Sequence, residues 1–315
     1  MSKNPLGVVQ PLSLLNRILD SDIFYSFSRS PVTVLSAIVT AVFFIAAAFA
    51  PWVAPHNPFD PATLELMDAF TPPAWEADGS TKFLLGTDDQ GRDVFSTIIF
   101  GSRVSLIVGF SAVMFSAVLG VGLGLLAGYI GGWLETMVMR MADVQLTIPA
   151  ILVALMIDGV ARILVPVHLR DVMAIYVLIL AIGISDWPRY ARVTRGAALV
   201  ERNKEYVSAA RVIGVHPIKI MLGHVLPNVM GPVLVLATIG LALAIITEAT
   251  LSFLGVGLPQ TEPSLGLLIS NGFEYMLSGR YWISFFPGIA LLLTIVCINL
   301  VGDQLRDVLN PRLQR

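Results

Sequence analysis

Cysteine and charged residues are scarce in this chain. Its 315 residues include a single cysteine, Cys297, which excludes a disulfide framework and a cysteine-based metal site. Charged residues make up 13% of the sequence, roughly half of the share found in soluble domains, while hydrophobic residues make up 56%. Long apolar runs replace the missing charges. This composition indicates an all-α membrane protein with several spans rather than a globule with a large core.

Catalytic and metal-binding motifs are absent as well. The chain contains no Gly-Lys dipeptide, so it has no P-loop for nucleotide phosphates, and no serine lies in a G-x-S-x-G pattern. Its four histidines lack zinc-site spacing. Asp88, Asp89 and Asp93 do not follow the EF-hand spacing, which favours a solvated loop or a surface met by a binding protein over a calcium site. We therefore expect no catalytic residue, metal or cofactor in this chain.

Six apolar runs reach the roughly 20 residues needed to cross a bilayer. They cover residues 31–53, 104–129, 137–161, 172–188, 229–250 and 285–302. The third run is the weakest, because Arg140, Asp143 and Pro149 interrupt it. Arg140 and Asp143 are three residues apart and are expected to form a local ion pair. Residues 48–50 resemble a leader cleavage site, but the membrane-spanning length of the first run favours an uncleaved anchor.

The distribution of Lys and Arg predicts the orientation. If the N-terminus is cytoplasmic, fourteen of the 20 Lys and Arg residues lie on the cytoplasmic side, so the positive-inside rule predicts both termini there. Residues 54–103 carry eight acidic and three basic residues, as suits an extracytoplasmic segment. The predicted organisation comprises a cytoplasmic segment 1–30, a first transmembrane helix 31–53, an extracytoplasmic loop 54–101, a transmembrane domain 102–305 and a cytoplasmic tail 306–315.

A polar helix pair is predicted between the fourth and fifth runs, on the cytoplasmic side. Gly214 suits the end of the first helix, because glycine adopts positive φ without strain, and Pro217 suits the first turn of the second. Pro227 is expected to close the second helix. Apolar residues repeat at helical spacing at Tyr206, Ala209, Ala210 and Ile213, and again at Ile218, Met221, Leu222 and Val225. Such faces must be buried, either on lipid headgroups or in a groove of a cytoplasmic partner.

The sequence of this helix pair is distinctive. Residues 205–214, EYVSAARVIG, followed by HVLPN at 224–228, resemble the EAA loop of ABC importer permeases, in the version of the dipeptide/oligopeptide/nickel permease family. Ser208 stands where this motif usually has Glu, and His224 where it usually has Ile. Further blocks resemble the C-type subunit of that family, namely LGTDDQGRD at 85–93, YIGGW at 129–133, PRYAR at 188–192, LSFLG at 251–255 and GDQLRD at 302–307.

The resemblance implies a type I ABC importer permease fold in the bacterial inner membrane, with residues 201–228 as the EAA loop that carries the coupling helix. It implies four kinds of partner: a second homologous permease, two ATP-binding subunits that hold ATP and Mg²⁺, an extracytoplasmic solute-binding protein and membrane lipid, with no nucleic acid. The solute is then a small peptide, or nickel, glutathione or an opine-like compound. The residues expected to couple to the ATPase are Glu205, Tyr206, Ser208, Ala209, Ala210, Arg211, Gly214, Val215, His216, Pro217, Leu226 and Pro227.

Two acidic residues in or near apolar runs, Asp158 and Glu248, are candidates for the substrate path, because ionisable groups are costly in a membrane. The alternative for each is a paired or snorkelling structural role. An ion-coupled secondary transporter would place ionisable residues deep in several spans, and an intramembrane enzyme would need a nucleophile or a metal constellation. Neither pattern occurs. A four-residue repeat of glycine predicts close helix packing within this chain, at Gly120, Gly124, Gly128 and Gly132.

Overall fold

A computed structural model describes residues 30–60, 64–259, 262 and 264–309 of the chain. Within these ranges the regular elements are helices, and a single bridge between extended residues joins Thr87 to Asp93. The all-α prediction is therefore confirmed for the part that the structure describes. Nearly all of the predicted segment 1–30, and residues 310–315 of the predicted tail, lie outside the described residues.

Eleven helices form the described fold and are numbered along the chain. Their bounds are α1 Pro31–Ala48, α2 Ala50–Val53, α3 Val94–Ile130, α4 Gly132–Thr147, α5 Ala150–Leu164, α6 Arg170–Glu201, α7 Glu205–Val212, α8 Pro217–Ile220, α9 Leu226–Phe253, α10 Leu265–Phe273 and α11 Trp282–Leu309. A π-turn, Met221–Val225, joins α8 to α9. Short 3₁₀ turns lie at Leu66–Asp68, Val167–Leu169 and Met276–Ser278.

Five helical stretches of the described chain are long and apolar enough to cross a membrane individually. They are α1, α3, α6 with its preceding turn, the continuous stretch Pro217–Phe253, and α11. The bent pair of α4 and α5 supplies a sixth span, with an angle of 94° between its two helices. The break falls at Ile148 and Pro149, because a proline ring clashes with the carbonyl of the preceding helical turn. This agrees with the prediction of about six spans, the third of them interrupted by Pro149.

Several helix boundaries differ from the predicted spans. The first helix ends at Ala48 rather than at residue 53, because Pro51 breaks it and begins the separate turn α2. Residues 94–101 of the predicted loop belong to α3, which the Asp93 carboxylate caps by accepting the Ser96 N–H at 3.0 Å. α6 and α11 also continue beyond the apolar runs that predicted them. A hydropathy run detects the part of a helix that faces lipid, not the whole helix.

Close packing of α3 against α6 forms the centre of the bundle. A Cβ added at Gly120, Gly124 or Gly128 would collide with the backbone of α6, so these glycines allow the two helices to approach closely. The predicted packing within one chain is confirmed for these three. Gly132 is instead the first residue of α4, with φ 67°, and an added Cβ would meet no other atom within 4 Å.

The loop between α2 and α3 packs over the beginning of α11. The Trp282 indole N–H donates to the Thr87 carbonyl at 3.0 Å. Asp88 and Asp93 are only 5% and 3% exposed, so the solvated-loop alternative is wrong for these two residues, whereas Asp89 is half-buried. Asp88 pairs with the Arg92 guanidinium at 2.6 Å, so its charge is compensated within the loop. This loop lies at the end of the bundle opposite to residues 202–225.

Candidate functional site

The hinge loop, residues 213–216, separates α7 from α8. The N–H of Val215 donates to the Ala210 carbonyl at 3.0 Å, and the N–H of Gly214 donates to the Arg211 carbonyl at 3.1 Å. These two bonds define a Schellman motif, which places a left-handed residue directly after the helix. Gly214 is that residue, with φ 78°. The predicted positive φ of Gly214 is confirmed.

The second half of the predicted helix pair differs from the prediction. α8 begins at Pro217, as predicted, but the chain then passes through the π-turn into α9, so that Pro217–Phe253 is a single stretch of 37 residues. The prediction that Pro227 closes this helix is wrong. In a regular α-helix the ring of Pro227 would clash with the carbonyl of Gly223, and the wider π-turn relieves that contact.

One face of this region packs into the protein. Val207, Ile220 and Val225 are fully buried within the same apolar cluster as residues of α3 and α6. The predicted apolar stripe of α7 is therefore shifted, because Val207 takes the buried position while Ala209 is exposed. The shift leaves other apolar side chains without cover.

An exposed apolar patch surrounds the hinge loop. It consists of four side chains with exposed fractions of 87%, 77%, 57% and 50%, which are Val212, Ile213, Ile218 and Leu222 in that order. They lie at the end of α7, in the hinge loop, in α8 and in the π-turn. Large exposed apolar groups close together are typical of a surface that binds another protein or a membrane.

Polar contacts fix α7 between two spans. The Tyr206 hydroxyl donates to the Glu201 carboxylate at the end of α6 (2.6 Å), and the Asn228 amide in α9 donates to the Tyr206 hydroxyl (3.4 Å). Lys204 also pairs with Glu201 at 2.6 Å. Burial and the hydrogen bond to Glu201 raise the pKa of Tyr206 to about 12, so its hydroxyl remains a donor at physiological pH. These contacts connect α6, α7 and α9.

Two basic residues connect the same region to the end of α3. The Arg202 guanidinium donates to the Gly128 carbonyl at 3.0 Å. The Arg211 guanidinium lies 5.7 Å from the centre of the Tyr129 ring, within the range of a cation–π contact. The end of α3 is thereby held against the segment that follows α6 and against α7.

Two ion pairs join α4 to α6. Arg195 binds Glu135, and Arg192 binds Asp143 at 2.8 Å. The predicted local pair of Arg140 with Asp143 is wrong, because packing of α4 beside α6 brings Arg192 to that carboxylate. Since both side chains of the Arg192 pair are more than half exposed, the pair contributes little to stability.

The structure brings all twelve predicted coupling residues together in and around α7, the hinge loop and the starts of α8 and α9. Eight are exposed: Glu205, Ser208, Ala209, Arg211, Gly214, His216, Pro217 and Pro227. Tyr206, Val215 and Leu226 are half-buried, and Ala210 is buried. The EAA-like segment therefore presents a continuous surface on a well-packed base.

The two acidic candidates for the substrate path lie in different surroundings. Asp158 in α5 is 9% exposed, pairs with Arg162 at 2.6 Å and lines a cavity. Glu248 in α9 is fully buried, and its Oε1 accepts the Ser252 hydroxyl at 2.7 Å. A role in the substrate path stays a prediction for both residues.

Comparison with known proteins identifies the family. Residues 120–315 match the family model described as a binding-protein-dependent transport system inner membrane component. Residues 21–73 match the model described as the N-terminal TM domain of oligopeptide transport permease C. The chain belongs to the ABC importer permeases of the peptide family. This permease is therefore a multi-pass protein of the inner membrane.

Curated relatives match most of the permease. It is 39% identical over 268 residues to the di/tripeptide transport system permease protein DppC of Pseudomonas aeruginosa, across 85% of this chain and 84% of that protein. It is 35% identical over 305 residues to the dipeptide transport system permease protein DppC of Haemophilus influenzae, across 97% and 99%. A solved inward-facing structure of the MetNI methionine ABC transporter matches with a TM-score of 0.53 and 22% identity, across 68% of the permease and 96% of that chain. This likeness confirms the type I importer permease fold.

Sequence reasoning missed two sets of residues in this site. The first set, Glu201 and Asn228, holds Tyr206 from both sides, and their position at the two limits of the EAA-like segment is the signal that could have found them. The second is Val212 of the exposed patch, whereas Ile218 was already part of the predicted apolar face of the second helix. Val212 lies outside the predicted stripe, and an apolar residue outside such a stripe on a short helix is a signal for a contact surface.

We expect Tyr206→Phe to loosen α7 in the permease. The variant loses the hydrogen bond to Glu201, and a bond to a charged group contributes about 1.5–3 kcal/mol, so local opening should become at least about tenfold more frequent. The rate of trypsin cleavage after Lys204 and Arg211 in the detergent-purified permease measures this opening. Tyr176→Phe is the control, since that side chain is 59% exposed in α6. Equal cleavage rates in the two variants would contradict the prediction.

Proposed function

We propose that this permease forms one half of the membrane path of an ATP-driven importer for short peptides. Its relatives named as dipeptide permeases match 85% and 97% of the chain, which supports peptides over nickel, glutathione or opine-like solutes. In this proposal the complete importer contains a second permease of the same fold, two ATPase subunits that bind ATP and Mg²⁺, and an extracytoplasmic solute-binding protein. This chain contributes no catalytic residue and no cofactor.

The observation that carries the proposal is the exposed apolar patch around the hinge loop. The patch lies on a short element that connects two spans, α6 and α9, and the positive-inside rule predicts a cytoplasmic location for it. An amphipathic helix of this kind fits a hydrophobic groove on a partner protein. We therefore assign α7, the hinge loop and α8 as the coupling element that docks on an ATPase subunit.

Rigidity of the coupling element supports this role. Tyr206 receives and donates hydrogen bonds that connect α6, α7 and α9, and Arg211 and Arg202 hold the end of α3. A displacement of the exposed patch is thus transmitted to three spans rather than absorbed by a flexible loop. When two ATPase subunits close around nucleotide, the spans would move as a group and open the path to the other side of the membrane.

The coupling assignment is tested by a cysteine at the centre of the patch. In a Cys297→Ser background, Ile213→Cys should form a crosslink to an ATPase subunit of the assembled importer, because Ile213 is 77% exposed on the docking surface. Leu277→Cys is the matched control, with a side chain that is 95% exposed at the opposite end of the bundle. It should be labelled without forming that crosslink.

The same two variants test the orientation. A membrane-impermeant thiol reagent added to intact cells (with the outer membrane made permeable where there is one) should label Leu277→Cys. It should reach Ile213→Cys only after the inner membrane is opened. Labelling of Ile213→Cys from outside, or failure to crosslink with spacers of every length, would overturn the proposed coupling. Val215→Cys is a poorer choice for this experiment, because Val215 packs against the apolar core.

A further inference from the structure

A cavity of about 230 Å³ lies at the end of the bundle opposite to the hinge loop. It is bounded by the end of α5, the beginning of α6 and residues 255–259 after α9. Apolar side chains, Val177 and Leu258 among them, share its wall with two acidic and two basic residues. A concave apolar site with a few polar groups is the usual form of a small-ligand site, and this volume is below the roughly 300 Å³ at which drug-sized sites begin. The cavity therefore suits a small ligand.

The charges of this cavity are compensated unequally. Asp158 and Arg162 form an ion pair with a distance of 2.6 Å between carboxylate and guanidinium. Arg170 donates to the backbone carbonyls of Arg162 (2.7 Å) and Val165 (3.3 Å), so it caps the end of α5 without meeting a carboxylate. Asp171 forms no hydrogen bond or ion pair with the residues that the structure describes. Among the described residues, one cation and one anion in the wall of the cavity thus have no charged partner, and both side chains are exposed to solvent.

Arg170 and Asp171 do not pair with each other. Arg170 and Asp171 are consecutive in the first turn of α6, and consecutive helical residues do not face each other. Asp171 has an ordinary structural explanation, since the helix dipole stabilises an acidic residue in the first turn. The bonds to the end of α5 likewise give Arg170 a structural role, but neither explanation accounts for the cavity that both side chains line.

We propose that this cavity binds a short zwitterionic peptide, with its terminal carboxylate on Arg170 and its terminal ammonium on Asp171. The proposal deepens the proposed function and rests on it. Charge-assisted hydrogen bonds at the two termini would hold the ligand, and the Asp158–Arg162 pair would form the polar wall between them. By the predicted orientation the cavity is on the extracytoplasmic side, where solute enters.

Ligands with a single charge fit less well. The wall carries two carboxylates and two guanidinium groups, so its net charge is zero. A free anion would therefore be repelled by the two carboxylates, and a free cation by the two guanidinium groups. A metal ion would find two carboxylates here, and the described residues contain no group of three or more potential metal ligands. A ligand with both charges matches both uncompensated groups.

Protection of a cysteine in the cavity wall tests the proposal. Ala174→Cys, in a Cys297→Ser background, places a thiol in the wall of the cavity within the assembled importer. The rate of its modification by methyl methanethiosulfonate, a neutral reagent, is measured with dialanine, with N-acetyl-dialanine and with dialanine amide. A site with a Kd of about 1 mM is about nine-tenths occupied at about 10 mM dialanine, so modification should slow about tenfold. The two blocked peptides should protect by less than about twofold.

Two charge variants complete the experiment. Arg170→Gln and Asp171→Asn should each remove most of the protection by dialanine, whereas Asp78→Asn, an exposed residue of the loop before α3, should leave it unchanged. Asp171→Asn loses no bond to a described residue, so it tests the charge even if Arg170→Gln disturbs the end of α5. Equal protection by blocked and free peptides, or full protection in the Asp171→Asn variant, would overturn the proposal.

Uptake separates this proposal from the proposed function. ATP-driven uptake of dialanine by the importer in proteoliposomes, together with an unprotected Ala174→Cys, would refute the binding site and leave the importer standing. If the importer takes up no dipeptide at all, the proposed function fails, whatever the result for the cysteine.

Discussion

In the Gly214→Val variant, ATP-driven uptake of dialanine by the reconstituted importer should fall below about a tenth of the wild-type rate. An L-residue in the left-handed conformation costs about 1–2 kcal/mol, and a β-branched residue is a stronger outlier there. Gly214 has φ 78°, so valine would open the Schellman turn and release the Val215–Ala210 hydrogen bond. A free energy change of about 2 kcal/mol alters a conformational population roughly thirtyfold. The coupling element would then lose its fixed angle.

The same variant should still insert into the membrane in normal amount. An added Cβ at Gly214 meets no atom within 4 Å, so the substitution strains the backbone without disturbing the packed spans. Immunoblotting of membranes measures that amount. Gly214→Asn is the matched control, since asparagine tolerates the left-handed region, and it should keep at least about half of the wild-type uptake. Normal uptake in Gly214→Val, or equal losses in the valine and asparagine variants, would contradict a hinge that depends on positive φ.

The spans could be predicted from sequence because lipid imposes a simple rule. About 20 apolar residues are needed for a crossing, and the described structure provides five such helices and one bent pair. The break at Pro149 followed from the missing N–H and the bulk of the proline ring. Helix ends outside the lipid were not predictable in this way. α6 continues to Glu201 because it packs against α3 and α4, and that contact is a property of the folded chain.

The candidate site was predictable where a single residue determines the backbone. Gly214 ends α7 because glycine tolerates positive φ, and Pro217 begins α8 because its fixed φ suits a first helical turn. The structure has both residues at these predicted positions. Which apolar face becomes buried depends instead on the arrangement of neighbouring helices. Val207 in α7 and Ile213 directly after it are both apolar, yet one is fully buried and the other is 77% exposed. The π-turn adds a further change of register that no spacing rule at Pro227 indicates.

Rigidity links the hinge loop to the centre of the bundle. In the proposed function, movement of the coupling element reaches the other end of the permease only if α3 and α6 move as one body, and the glycines of α3 allow that close contact. Replacement of Gly124 by leucine therefore tests whether coupling requires close packing of α3 against α6. We expect this substitution to affect folding as well as transport.

Gly124→Leu should destabilise the permease by about 3 kcal/mol, because an added side chain would collide with the backbone of α6 at Ala191 and force the helices apart. Thermal unfolding and the monodisperse fraction of the detergent-purified permease measure the loss. Gly122→Leu is a close control in the same helix, since an added Cβ there meets no atom within 4 Å, and it should unfold like the wild type. Equal stability of the two variants would mean that α3 and α6 do not touch closely in the folded permease. The coupling element would then have no rigid body to move.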